Sequence, residues 1–94
     1  MRYAGILLAL LLSSCATSEE FARQNQEFDH PGRQIVYLVS DNTVRDCAVP
    51  RAVACARFDP SQPLGVCVIV HGVNPHPTVM EHERLHCRYG RWHG

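Results

Sequence analysis

The fold class this sequence predicts is a small α+β domain stapled by disulfides. Two runs of β-branched and apolar residues, at 34–39 and 64–70, read as strands. A helix signature follows the prolines Pro75 and Pro77 near the C-terminal end. Four cysteines, Cys47, Cys55, Cys67 and Cys87, fall within a segment of about sixty residues, a length that buries too little surface to be comfortable alone.

The chain has 94 residues, no net charge and 46% apolar residues, enough for one small domain. Its nine basic residues are all Arg and form no block, so composition gives no reason to expect a nucleic-acid partner.

Residues 1–14 read as a leader. Arg2 supplies a positive start, and Ile6 opens a short apolar run that ends in Leu12, Ser13, Ser14 and Cys15. That run is shorter than the ~20 residues a bilayer span needs. The four residues resemble a bacterial lipobox, cleaved before a cysteine that becomes lipidated; the alternative is an ordinary secretory signal. The resemblance implies a membrane anchor at Cys15. Ala16 in the next position, where Asp would favour retention at the inner membrane, implies the outer membrane, with the domain facing the periplasm. Residues 15–32 are mostly polar and are expected to form the lipidated start of a flexible tether, leaving 33–94 as the folded domain.

Within that domain residues 34–39 are the first expected strand, followed by a turn at Ser40, Asp41, Asn42 and Thr43. Residues 44–58 fit either a strand pair broken at Pro50 or a short helix. A loop at 59–63 precedes the strongest strand, 64–70, whose unbroken apolar character predicts burial on both faces. With Cys15 lipidated, four cysteines remain in an exported domain, which implies two disulfides and three connectivities. The pairing favoured is Cys47 with Cys55, closing a local loop, and Cys67 with Cys87, pinning the last helix to the strand before it.

That helix carries His82, Glu83, Arg84, Leu85 and His86, the pattern H-E-x-x-H. Positions i and i+4 share a helix face about 5.4 Å apart, so two imidazoles can converge on one Zn²⁺. The intervening Glu projects about 100° around the helix, where it can take a proton from a water at the metal. Thr78 and Glu81 read as a capping box that starts the helix, and Gly90 as its stop. His93 follows as a third candidate ligand. Cys87 is a rival ligand, but it lies about 100° from His86 around the helix.

The string resembles the zincin metallopeptidases, and its extension through Gly90 to His93 resembles the metzincins. Here one extra residue precedes Gly90, so His93 falls eleven positions after His82. The resemblance implies zinc on His82, His86 and His93, Glu83 as general base, and hydrolysis of an envelope peptide or protein. A Tyr in some zincins steadies the tetrahedral intermediate, and Tyr89 is a candidate to do so, or an aromatic that covers the small core. His71 and His76 are candidates to line the same cleft, or plain loop histidines. Arg84, Arg88 and Arg91 recur along one side of the helix and are expected to form a solvated face. The competing reading is a non-catalytic envelope lipoprotein whose metal or disulfides only hold a binding surface together.

Overall fold

The computed structural model describes residues 18–59, 61–62 and 65–93. The leader at 1–14, the lipidation candidate Cys15 and the strand candidate Leu64 lie outside the described residues.

Among the described residues the chain forms one three-stranded sheet and three helices. In chain order they are α1 (Ser18–Gln24), β1 (Ile35–Val39), α2 (Thr43–Cys47), β2 (Ala54–Arg57), β3 (Cys67–His71) and α3 (Pro77–Tyr89). The expected α+β class is therefore what the chain adopts.

β3 lies in the middle, parallel to β1 and antiparallel to β2. The central place suits the most apolar run, because only a middle strand is covered on both faces. Cys67 and Ile69 point to α3, and Val70, buried as well, points to the face of α2. β3 also runs to His71, expected in a loop; His71 pairs with Val39 and Ala54, and its carbonyl accepts from Ser40. The ambiguous stretch 44–58 holds the short helix of one alternative, α2, and then a single strand, β2, in place of the strand pair of the other. Asn42 caps α2 by accepting from the Arg45 amide, and Ala48 closes it in the left-handed region.

Both disulfides pair as favoured: Cys47 with Cys55 ties α2 to β2, and Cys67 with Cys87 ties β3 to α3. In the chain-entropy account, closures of 8 and 20 residues contribute about 2.5 and about 3 kcal/mol.

The segment expected to be a free tether is folded onto the domain. α1 buries Ala22 completely and sets Phe21 edge-on to Trp92, with ring centroids 5.9 Å apart. The amides of Glu27 and His30 donate to the carbonyls of Tyr89 and Arg88, both at 2.9 Å. The polar composition conceals the reason. Ala22 packs with Leu85, Tyr89 and Trp92 and Phe21 meets the Trp92 ring, while Glu19, Glu27 and Asp29 meet Arg88 and Arg91. Those two arginines are thus partnered side chains, not members of a purely solvated face, and Arg84 pairs with Glu81.

A buried arginine completes the frame. Arg33 is 8% exposed and donates to the carbonyls of Asp59, Gln62, Gly65 and Cys87. Its guanidinium lies between the rings of Phe28 and Phe58, 5.3 and 5.1 Å from their centroids. Five fixed N–H groups let one side chain satisfy loop carbonyls that a lysine could not reach together.

Candidate metal centre

The site rests on α3, whose start differs from the one the sequence suggests. Thr78 is not the cap. Pro77 occupies the first turn, where its fixed φ suits a helix and its missing N–H costs nothing. Pro77 also holds His76 extended, and the His76 Nδ1 accepts from the Thr78 amide at 3.1 Å. Glu81 is free of the box and turns to Arg84.

From there the helix presents distinct stripes. Met80 and Cys87 face the sheet, while Leu85, Tyr89 and, beyond the helix, Trp92 face α1. His82 and His86 form a third stripe one turn apart, and Glu83 projects between that stripe and the sheet.

Gly90 brings in the third histidine. Its φ of +81° is reached without strain only by glycine, and it ends α3 with its amide on the His86 carbonyl. The chain then doubles back through Trp92, and the His93 ring stacks on His82 at a centroid distance of 5.0 Å. The extra residue before Gly90 lengthens the helix but does not take His93 out of reach.

The three Nε2 atoms converge. His82 to His93 is 3.1 Å, His82 to His86 is 3.2 Å, and His86 to His93 is 2.8 Å. On one tetrahedral zinc at about 2.0–2.1 Å, imidazole nitrogens sit about 3.3–3.4 Å apart, so the set needs only a slight spread to hold a cation. A second observation supports the fit. The His86 Nδ1 lies 2.8 Å from the Gly90 carbonyl and donates its proton there, which leaves the Nε2 as a bare lone pair aimed at the other two rings. Mutual N–H donation cannot quiet three such nitrogens at once, whereas a cation at their centre satisfies all of them. The three residues could hold a metal ion.

Burial lowers the His82 and His86 pKa values, and the neighbouring imidazoles lower them further, against the Gly90 hydrogen bond that raises His86. Both effects favour the neutral, ligating form. Trp92 forms the floor, its ring stacked on His86 at 5.0 Å and edge-on to His82 at 5.1 Å.

Glu83 is 8% exposed and makes no hydrogen bond or ion pair among the described residues. Burial raises its carboxyl pKa. It shares a cavity of about 280 Å³ with His82, His86 and His93, and Ala54, Cys55, Ala56 and Phe58 make the opposite wall. That wall is β2 and the residue after it, and β2 pairs with β3 alone among the described residues.

The other sequence candidates lie elsewhere. Tyr89 is fully buried against α1, so it cannot touch a substrate at the histidines; its hydroxyl and the Trp92 Nε1 are buried without hydrogen-bond partners among the described residues. His71 meets the Gly72 carbonyl and the Tyr37 ring, and His76 caps the helix. Cys87 is consumed by its disulfide. Sequence reasoning missed β2 as the facing wall. Four residues rich in alanine carry no alternation to announce a strand; the one signal is Cys55, whose partner Cys47 places it locally.

No family model, curated protein or solved structure matches this chain, so its own geometry carries the functional reading.

Proposed function

We propose that this chain is a zinc-dependent amide hydrolase acting on peptides of the bacterial envelope, held at the outer membrane through a lipidated Cys15. The convergence of three imidazole Nε2 atoms beside an unpartnered buried carboxylate carries the reading. Structural zinc sites are closed by four protein ligands, whereas three leave a position for chemistry. Nitrogen donors in that number suit zinc over the hard cations.

When bound, zinc supplies Lewis acidity, acidifying water and polarising a carbonyl. Glu83 then has a defined role, accepting the proton of the attacking water and returning it to the amine nitrogen as the C–N bond breaks. The Nδ1–H bond from His86 to Gly90 fixes the ring that must stay neutral. The free edge of β2 offers backbone groups along which an extended peptide can lie across the cavity.

Metal analysis of the full oxidised chain beside three variants tests this reading. One zinc per chain is expected, lost in His82→Ala and His93→Ala. Glu83→Gln is expected to keep its zinc and lose peptide hydrolysis by at least ~100-fold. A metal-free wild type would end the metal-centre reading, and full turnover by Glu83→Gln would end the mechanism.

The half-exposed outer strand favours a second reading. Tyr37, Leu38 and Val39 on β1 leave apolar side chains at the surface, as a non-catalytic envelope binding module would. Partner binding unchanged by Glu83→Gln, with no turnover by either form, would select it.

A further inference from the structure

The histidine cavity does not end at the histidines. A second concavity, of about 360 Å³, is lined by Ala56, Arg57, Phe58 and Arg91. It shares Ala56, Phe58 and Arg91 with the first, so the two form one groove along the outer edge of β2. Its near end is the three histidines with Glu83. Arg57 lines the far end alone, with Phe58 and Arg91 between the two ends.

The charges at that end are unbalanced. Arg57 is exposed and makes no hydrogen bond or ion pair among the described residues. The acid that feels its charge, Asp46, is already held by Arg45 and Ser40. Arg91 gives one face of its guanidinium to Glu27 at 2.9 Å, yet its side chain stays 66% exposed. An unpaired guanidinium and a half-free one can receive a planar anion by two parallel N–H bonds. Phe58 beside them suits the aliphatic stem of an acidic side chain.

We propose that this end of the groove is a carboxylate-recognition subsite: Arg57, aided by Arg91, selects peptides bearing an acidic group close to the bond that is cleaved. Strand geometry sets how close. Arg57 directly follows Ala56, which lines both halves; its side chain leaves β2 on the opposite face and reaches the second concavity past the strand's edge, and a strand advances about 3.3 Å per residue. A peptide laid along β2 therefore puts a residue one or two positions from the scissile bond opposite Arg57. The carboxylate can come from a Glu or Asp side chain or from a free C-terminus. The inference rests on the hydrolase reading for the location of the cleaved bond, but the subsite itself is a binding property.

The experiment uses the zinc-loaded full chain in detergent and synthetic peptides of one sequence. Glu is placed at each position in turn against a matched Gln, with the C-terminus free or amidated. Cleavage is followed by mass spectrometry, and binding by fluorescence anisotropy on the Glu83→Gln form. A preference of about tenfold, in cleavage and in Kd, is expected for a carboxylate within two residues of the cut, and Arg57→Gln is expected to erase the ratio between acidic and neutral peptides. A preference from Glu in amidated peptides assigns the source to a side chain; one that needs the free terminus assigns it to the C-terminal carboxylate. Cleavage of acidic and neutral peptides at equal rates overturns the subsite while leaving the hydrolase standing. Selective, Arg57-dependent binding of acidic peptides with no turnover overturns the hydrolase and keeps the subsite.

Discussion

Gly90 does three things that no other residue can do together. It turns the backbone at φ +81°, its carbonyl accepts the Nδ1 proton of His86, and its missing side chain leaves room for the N-terminal segment. A Cβ there would stand 2.6 Å from the Glu27 carboxylate and 2.9 Å from the Phe28 ring. Gly90→Ala is therefore expected to cost about 2–4 kcal/mol, from backbone strain and overpacking. Calorimetry should record a fall in Tm of roughly 10–25 °C for a domain of this size. A zinc titration should show weakened affinity as well, since relief of that strain displaces the backbone carbonyl that anchors the His86 ring. An unchanged Tm would mean that the segment at 27–28 moves aside freely. The glycine is legible as a helix stop from sequence, because a glycine after an amphipathic stretch has a local meaning. Arg33 is not. Its acceptors are carbonyls 26 to 54 residues away, and nothing beside it in the chain signals them.

Between elements, the decisive link is the disulfide from β3 to α3. Cys87 follows His86 directly, so the bond that fastens the helix to the sheet also holds the histidine stripe over β2. Replacing Cys67 and Cys87 by Ala together is expected to remove about 3 kcal/mol and to weaken zinc binding. Replacing Cys47 and Cys55 is expected to cost a similar amount with a smaller effect on zinc. Chemical denaturation and metal titration of the two double variants check the contrast; equal loss of zinc affinity in both would refute it. β1 and β3 can be read from their β-branched runs because a buried strand declares itself by composition. β2 cannot, because Ala54, Cys55, Ala56 and Arg57 become a strand only through the neighbour they pair with. The start of α3 is displaced for a related reason. The capping box is a local pattern, but Pro77 fixes the first turn one residue before it.

On the scale of the molecule, the N-terminal segment is part of the domain that carries the site. α1 covers Trp92, which floors the histidines, and the 27–30 stretch hydrogen-bonds the end of α3. By composition this segment reads as tether because its few apolar residues, Phe21, Ala22 and Phe28, sit among charges; each charge partner lies near the end of the chain. Deleting residues 16–31 is thus expected to lower stability by at least ~2 kcal/mol, from lost burial of aromatic surface alone. It should also raise Trp92 fluorescence quenching and reduce zinc content. A shortened chain with full stability and full zinc would restore the tether reading. The ligand set itself has the opposite character. All three histidines fall within residues 82–93, one helix and the turn that ends it. The entropy lost in closing a loop grows with its length, and this loop is among the shortest a three-ligand centre can have. If a cation binds there, as proposed, it draws every protein ligand from this one stretch, so the sheet and the N-terminal helix act on it only by holding that stretch in shape.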